Sequence, residues 1–278
     1  MKIVACYNCK SDKSTFFASE NGYTLVKCNT CGLLYVNPRP NDEEIKQAHK
    51  TGRHRGETTF KVTGHYSPQR ASKLLKILTQ FFEKELQADY QSWLDIGCGH
   101  GELLFALSKV SNGKLIVKGL EPNIDKQKSA RQKGLDVSDF DLNQHVDEYD
   151  FISLLNVYSH LPDPVEFFES IKKNLKTGGK LFIETGDTAN FAPGIHFRPL
   201  YLPDHLSFGT EKIVVDILKR SGFEIVEIRK YPMLSSDLYT IAKEIIKLFW
   251  PHKRSSIRYL LNQQLYAEAD MFILAQRL

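Results

Sequence analysis

The sequence predicts an α/β protein with a doubly wound, mostly parallel sheet and a small cysteine-rich module in front of it. Three observations carry this prediction. Short apolar segments alternate with helical segments from residue 92 onwards, which is typical of a parallel sheet covered by helices on both faces. A glycine-rich turn joins the first of these strands to its helix. Four of the five cysteines lie within the first 31 residues.

The composition is that of an ordinary soluble globular protein. Of its 278 residues 42% are hydrophobic and 25% charged. The net charge of +4 is spread along the chain, so composition favours neither nucleic acid nor a membrane surface as a partner. The N-terminus runs directly into a cysteine pair without an apolar signal region, and no apolar run approaches the roughly 20 residues that span a bilayer. We therefore expect a cytoplasmic protein without a transmembrane segment.

Residues 1–40 form the predicted cysteine-rich module. Its strands are short, at 14–18, 24–27 and 33–36, and two prolines at positions 38 and 40 end it because they continue neither a strand nor a helix. The cysteines form two C-x-x-C pairs separated by 18 residues: Cys6, Cys9, Cys28 and Cys31. This spacing is typical of zinc sites. Four thiolates complete a tetrahedron, so the zinc would be structural, although a redox pair or unrelated core cysteines are alternatives.

Residues 41–67 are interpreted as a linker or lid. A helical segment at 42–50 is followed by a polar, glycine-containing segment at 51–67 that is predicted to be a mobile loop.

Residues 68–278 carry the alternating pattern of the main domain. A helix is predicted from residue 68 to about 86, because its apolar residues recur with a helical period. Strands are then predicted at 92–96, 115–120, from 136, 151–155, 180–185, 223–229 and 271–276, with helices at 102–110, 123–133, 164–175 and 210–221. An inserted helical hairpin is predicted at about 234–265. Its apolar and basic residues fit packing on the protein or on a dimer partner, or a lipid surface.

The glycine turn reads Asp95-Ile96-Gly97-Cys98-Gly99-His100-Gly101. A dinucleotide fingerprint needs a small residue where Glu102 stands, so the G-x-G-x-G spacing argues against that cofactor class. Instead the turn resembles motif I of the class I S-adenosylmethionine (SAM)-dependent methyltransferases. Cys98 is interpreted as a small side chain within this cofactor loop.

The resemblance extends from Tyr66 to Leu278. With the cysteine module, the chain is similar to the zinc-ribbon methyltransferases of bacterial sugar, polysaccharide and natural-product clusters. The junction Cys28-x-x-Cys31-Gly32-Leu33-x-Tyr35-x-Asn37-Pro38-Arg39-Pro40 matches that subgroup. The resemblance implies a Rossmann-like methyltransferase domain with SAM as cofactor and a structural zinc ion.

Several residues match cofactor-binding positions of the family. Glu121 ends the second strand and is followed by Pro122, and an acidic side chain there can accept hydrogen bonds from both ribose hydroxyls. The resemblance places Asp141 and Leu142 at the adenine. It further implies that Asn156 faces the methionine end and that Tyr66 and Arg70 reach the SAM carboxylate.

Methyl transfer also needs a base in the substrate cleft. His205 is the first choice, because Asp204 precedes it and a neighbouring carboxylate raises the basicity of an imidazole. In related sugar C-methyltransferases an acid–His dipeptide after a tyrosine, here Tyr201, is implicated in substrate deprotonation, although the usual acid is Glu. His160, after the fourth strand, is the second choice, and a packing or capping role is its alternative.

The sequence thus predicts SAM-dependent methyl transfer to a small polar acceptor derived from a carbohydrate or a nucleotide sugar. Methylation of RNA by an enzyme with a zinc module is an alternative, which the thin positive charge of the ribbon disfavours. A non-catalytic zinc-ribbon binding protein is the other alternative. It is disfavoured because Asp95, the glycines and Glu121 are all intact.

Overall fold

The computed structural model describes residues 1–83, 85–87, 91–142, 145, 147–232, 242, 245, 246 and 268–278. At its centre is a seven-stranded sheet. Across the sheet the strands are β12 (Phe223–Tyr231), β13 (Asp270–Arg277), β10 (Leu175–Gly186), β9 (Tyr149–Leu155), β6 (Ser92–Ile96), β7 (Ile116–Glu121) and β8 (Val137–Asp139). Strand β13 is antiparallel to both of its neighbours, and the other pairs are parallel. The prediction of a mostly parallel α/β sheet is confirmed.

Helices cover both faces of this sheet. In the described part of the chain, the α-helices with defined bounds are α1 (Asp42–Thr51), α2 (Pro68–Phe82), α3 (Glu102–Val110), α4 (Ile124–Arg131), α5 (Pro164–Ile171) and α6 (Glu211–Arg220). Helices α2 and α3 share a buried apolar cluster with one face, and α5 and α6 share another cluster with the opposite face. The sheet is therefore doubly wound, as the alternating pattern predicts.

The apolar clusters on the two faces of the sheet are distinct because successive side chains of a strand point to opposite sides. On β6, Trp93 faces α2 and α3, whereas Leu94 faces the other cluster. Trp93 is fully buried, with its ring 4.9 Å from that of Phe82, and its indole N–H donates to Ser153 Oγ at 2.9 Å. The largest side chain of the core is thus buried without an unpaired donor.

The N-terminal strands form a second sheet. Its strands are, in order, β1 (Ser14–Glu20), β2 (Tyr23–Cys28), β3 (Leu34–Val36) and β11 (Ser207–Phe208). The last strand belongs to the long loop after β10 and pairs antiparallel with β3, so Ser207 lies opposite Tyr35. This strand is not predicted from the sequence. Because of it, the cysteine-rich segment and the main domain share one sheet.

The segment between the two sheets is partly ordered into regular structure. Helix α1 begins with a capping box between Asn41 and Glu44 and ends at Gly52. It is followed by a short hairpin of β4 (Arg53–His54) and β5 (Phe60–Lys61). The region predicted to be a mobile loop therefore contains paired strands, with His54 buried.

Two predicted helices end early. Helix α2 ends at Phe82 and is followed by a short 3-10 turn at Glu85–Gln87. Helix α5 ends at Ile171 and is followed by a 3-10 turn at Lys172–Asn174. The predicted insertion at 234–265 lies outside the described residues, apart from 242, 245 and 246. In the part of the chain that the structure describes, no helix has the length and apolar character needed to cross a membrane.

Candidate active site

A cavity of about 2110 Å³ opens at the carboxyl ends of β6, β7 and β9. Parallel α/β sheets bind ligands at this edge, because the loops after the strands diverge there. Most of the predicted site residues line this cavity. They are Arg70, Asp95, Gly97, Cys98, Gly99, Glu121, Pro122, Asp141, Leu142, Asn156, His160, Tyr201, Asp204 and His205.

The glycine loop turns the chain from β6 into α3. The N–H groups of Gly97 and Cys98 both donate to the carbonyl of Leu120, at 2.7 and 3.1 Å. Gly97 has a φ of +73°, and a Cβ there would lie 2.5 Å from a methyl group of Val157. Gly101 has a φ of +90°, and a Cβ would lie 2.2 Å from Leu135. Side chains are excluded at both positions by conformation and by space, which explains why glycine recurs in the motif.

Glu121 is a buried carboxylate at the end of β7. Its Oε2 accepts from the Gly99 N–H at 2.7 Å, and its Oε1 accepts from the Asn123 N–H at 2.8 Å. The side chain is 3% exposed and lines the cavity. Each carboxylate oxygen has two lone pairs, so both can accept a further hydrogen bond from a ligand hydroxyl.

Asp95 lies on β6 just before the loop. Its Oδ1 accepts from Ser153 Oγ at 2.6 Å, and burial raises its pKa to about 7. The guanidinium of Arg70 on α2 forms a bidentate ion pair with the carboxylate of Glu184 on β10. Its Nη1 donates to Oε1 at 3.1 Å, and its Nη2 pairs with Oε2. Glu184 therefore fixes the guanidinium, which leaves N–H groups for a ligand carboxylate.

Tyr66 is expected at the SAM carboxylate but does not line the main cavity. Its ring lies in a separate groove beside α2 and α3, with Phe105 edge-on at 6.2 Å and the Lys133 ammonium 4.8 Å from its centre. The sequence places Tyr66 just before the cap of α2 at Ser67, and this direction of entry turns the phenol away from the main cavity. Tyr66 and Arg70 therefore do not face one ligand.

Cys98 is buried within the loop. A Cβ at Gly119 of β7 would lie 2.6 Å from its sulfur, so the thiol packs against that strand. Burial raises the pKa of Cys98 well above its usual value. The thiol is therefore protonated and unreactive at neutral pH, in agreement with its interpretation as a small packing side chain.

Asp204 is the centre of a group of imidazoles at the other end of the cavity. Its Oδ1 lies 3.1 Å from Nδ1 of His160 and 3.2 Å from Nε2 of His54. Burial would raise the pKa of Asp204, but the charge and hydrogen bond of His160 outweigh burial and hold it well below its usual range. For His160, burial acts to lower the pKa, but the charge and hydrogen bonds of Asp204 outweigh burial, so the pKa of His160 is raised above its usual value.

The predicted pairing of Asp204 with His205 is wrong. Nδ1 of His205 lies 2.9 Å from the Leu200 carbonyl, and the Asp204 carboxylate is used by two other histidines. Burial, followed by the nearby His160, lowers the pKa of His205 to about 4. The imidazole is therefore neutral at pH 7: the charge of Asp204 acts to raise its pKa, but burial and the nearby His160 outweigh that effect.

Tyr201 closes the same side of the cavity. It has a φ of +59°, and its N–H donates to Glu20 of β1 at 2.6 Å. Its ring, 45% exposed, is edge-on to that of His205 with centres 6.0 Å apart. A glutamate of the N-terminal sheet thus anchors the loop that carries the predicted base.

The four N-terminal cysteines converge. Sγ of Cys6 lies 3.5 Å from Sγ of Cys31, and Sγ of Cys9 lies 3.4 Å from Sγ of Cys28. Each C-x-x-C pair closes a tight turn. The N–H of Lys10 donates to the Cys6 carbonyl, and the N–H of Gly32 donates to the Cys28 carbonyl. Both donor residues have a positive φ, +60° and +79°. The donor set and spacing fit a tetrahedral zinc ion.

Two histidines that line the cavity are not predicted from the sequence. His49 lies on α1 and His54 on β4, and both line the cavity near Asp204. They belong to the segment set aside as a linker or lid. Two histidines five residues apart in an otherwise polar stretch were the signal available there.

Comparisons with curated proteins give partial matches. The ubiquinone biosynthesis O-methyltransferase of Actinobacillus pleuropneumoniae serotype 7 (strain AP76) is 35% identical over 103 residues, covering 33% of this chain and 44% of the relative. The protein of that name from Hydrogenovibrio crunogenus is 28% identical over 123 residues, covering 41% and 50%. The chain spans about half the length of these curated relatives.

Solved structures share the fold. A SAM-dependent methyltransferase from Archaeoglobus fulgidus has a TM-score of 0.50 at 22% identity, covering 74% of this chain and 94% of that one. Coclaurine N-methyltransferase, solved with N-methylheliamine and S-adenosylhomocysteine (SAH), has a TM-score of 0.51 at 11% identity, covering 85% and 81%. Residues 66–228, more than half of the chain, match the family model described as a methyltransferase domain. The chain therefore belongs to the methyltransferase-domain family, with the class I SAM-dependent methyltransferase fold.

Proposed function

We propose that this protein transfers a methyl group from SAM to a small polar acceptor. The observation that carries the proposal is the junction of the glycine loop with Glu121, whose buried carboxylate faces the cavity from the neighbouring strand. A ribose with two free hydroxyls needs such an acceptor, and a ligand can approach the loop closely only where side chains are absent. Membership of the methyltransferase-domain family supports the same activity.

The cavity offers a place for each part of SAM. The ribose is assigned to Glu121, next to Pro122, and the adenine to Asp141 and Leu142. The methionine end is assigned to Asp95, Asn156 and Arg70, beside the loop of Gly97, Cys98, Gly99 and Gly101. Bound SAM supplies an electrophilic methyl group on a sulfonium. The protein's own part is to align the acceptor and to remove its proton.

The acceptor end favours a carbohydrate or nucleotide-sugar derivative. Lys46 and Lys50 of α1 and Lys126 of α4 line the cavity near His49. None of these three lysines forms an ion pair with another described residue. Unpaired cations facing a cavity bind phosphate oxygens well, as a nucleotide sugar would supply. The curated relatives, named as O-methyltransferases of ubiquinone biosynthesis, likewise support a small-molecule acceptor.

His205 is proposed as the proton acceptor. With its Nδ1–H donated to the Leu200 carbonyl, its Nε2 carries the lone pair. His160 lies beside it, with ring centres 4.9 Å apart, and Asp204 and Tyr201 complete this wall. These residues would hold the acceptor against the methyl group.

Residues 1–40 are proposed as a zinc-ribbon module, with Cys6, Cys9, Cys28 and Cys31 as ligands of a structural zinc ion. Residues 41–67 would cover the acceptor side, and residues 68–278 would form the methyltransferase domain. The convergence of the four sulfurs supports this division.

Calorimetric titration with SAH tests the cofactor site. We expect micromolar binding by the full chain and about 10- to 100-fold weaker binding by Glu121→Gln, because charge-assisted hydrogen bonds contribute roughly 1.5–3 kcal/mol. Glu224→Gln, an exposed residue of β12, is the matched control and should bind normally. Absence of SAH binding in the folded, zinc-loaded wild type would refute the proposed activity.

A further inference from the structure

A second group of metal-type ligands lies at the acceptor end of the cavity, far in sequence from the cysteines. We infer that His49, His160 and Asp204, with His54 beside them, bind a divalent transition-metal ion. This inference deepens the proposed function: the ion's part in catalysis rests on methyl transfer, whereas the binding of the ion does not.

The ligand atoms of this group lie close enough together to converge on one ion. One ligand atom from each of His49, His160 and Asp204 lies within 4.8 Å of the others. Two imidazole nitrogens, of His54 and His160, lie 3.2 and 3.1 Å from the same oxygen of Asp204. Ligands bound at 2.0–2.1 Å in a tetrahedron are about 3.3 Å apart. Drawing these ligand atoms from within 4.8 Å to about 3.3 Å of one another would close a shell around an ion.

The cysteine cluster provides a comparison within the same molecule. Its sulfurs lie 3.4–3.5 Å apart in pairs, whereas tetrahedral zinc with bonds of 2.3 Å separates them by about 3.8 Å. The paired sulfurs are thus slightly closer together than in a metal-bound shell. In the histidine group, the nitrogens of His54 and His160 lie at comparable distances from the Asp204 oxygen.

His49 is the residue that hydrogen bonding alone does not explain. Its ring meets that of His160 edge-on with centres 6.2 Å apart, but neither ring nitrogen is hydrogen-bonded to another described residue. Because no described group uses these nitrogens, the one that carries the lone pair can coordinate an ion in the cavity. A metal ion at the Asp204 carboxylate would give His49 a partner.

The donor set selects the kind of ion. Imidazole nitrogens with one carboxylate suit zinc, cobalt, nickel or ferrous iron, whereas magnesium and calcium prefer oxygen ligands. Two or three histidines and one aspartate also leave a coordination position open, unlike four cysteines. Because all these residues line the cavity, the open position would face the acceptor.

The ligands are tied to the cofactor loop. The His160 N–H donates to the Val157 carbonyl at 2.9 Å, and Val157 packs where a side chain at Gly97 would lie. The Asn123 side chain reaches the carbonyl of His49 at 3.4 Å, while its N–H donates to Glu121. An ion at this place would therefore hold an acceptor close to the SAM site.

The ion's role follows from its Lewis acidity, which makes an acceptor hydroxyl easier to deprotonate. In the transfer, the acceptor oxygen gives its proton to Nε2 of His205. A carbon–oxygen bond forms as the carbon–sulfur bond of SAM breaks, and SAH leaves as a neutral thioether.

Metal counting tests the site directly. The full chain is stripped of metal, dialysed to equilibrium against Co²⁺, and analysed by mass spectrometry for metal and by its visible spectrum. We expect two equivalents in the wild type, of which one shows thiolate-to-cobalt absorption and one does not. His49→Ala and Asp204→Asn should each lose the second equivalent and keep the thiolate-bound one.

His65→Ala is the matched control, because His65 is exposed and outside the cavity, and it should retain both equivalents. A single, thiolate-bound equivalent in the wild type, or two equivalents in His49→Ala, overturns the site. His49→Ala removes a half-buried surface residue, so the test does not depend on whether Asp204→Asn folds. SAH titration of the same samples separates the two proposals. If the wild type binds SAH normally but holds one equivalent of cobalt, the metal site alone is overturned. If it holds two equivalents of cobalt but does not bind SAH, methyl transfer alone is overturned.

Discussion

Replacement of His205 by asparagine is expected to lower turnover by about 10²- to 10⁴-fold, the usual contribution of a general base. Asparagine keeps a donor for the Leu200 carbonyl, which His205 contacts at 2.9 Å, but its amide is far too weakly basic to take up a proton near neutral pH. Affinity for SAH should change by less than about twofold, because the cofactor residues lie around the glycine loop. Turnover is measured as SAH release with an acceptor found by screening nucleotide sugars.

His65→Asn, the same change at an exposed histidine, is the control and should leave turnover unchanged. The split between turnover and SAH affinity separates a base from a residue that only orders the loop, because a disordered wall would also weaken acceptor binding. A His205→Asn enzyme with wild-type turnover would remove His205 from the mechanism.

Replacement of Cys28 by serine is expected to remove the thiolate-bound metal and lower the melting temperature by roughly 6–12 °C. Structural zinc contributes about 10 kcal/mol or more to isolated small modules. Here we assume a net loss of only ~3 kcal/mol in the free energy of unfolding, since β1, β2 and β3 are also held by the main domain. Each kcal/mol lowers the melting temperature by roughly 2–4 °C. The measurements are metal content and thermal unfolding followed by circular dichroism.

Cys98→Ser is the matched control, because Cys98 is the one cysteine outside the cluster and its thiol packs against β7. It should keep the thiolate-bound metal. Unchanged metal content in Cys28→Ser would contradict the zinc-ribbon proposal.

Local patterns in the sequence predict the main sheet well. Trp93 to Ile96 form a strand because they are apolar apart from Asp95 and end at a glycine, and Glu102 begins a helix at that turn. These signals lie within a few residues of each other, so no knowledge of the tertiary fold is needed. Helix ends are less predictable: Ile171 ends α5 although the apolar pattern continues, because β10 already begins at Leu175.

Long-range pairings account for what the sequence does not predict. Asp204 and His205 are neighbours in the chain, but the carboxylate contacts His160, 44 residues away, and His54, 150 residues away. Which way each side chain points depends on the turn that begins at Tyr201, whose N–H is held by Glu20. Adjacency in the sequence therefore picked out residues that line the cavity but paired Asp204 with the wrong histidine.

The antiparallel pairing of β3 with β11 has a consequence for the exchange of parts between related enzymes. Tyr7 of the ribbon reaches Tyr158 at 3.1 Å and Ser207 at 3.0 Å, so three distant segments meet behind the acceptor wall. A chimaera that replaces the ribbon alone would break these contacts. Under the proposed function, an exchange of acceptor specificity would then require transplanting two separate segments together, residues 1–40 and the loop that carries Tyr201, Asp204 and His205.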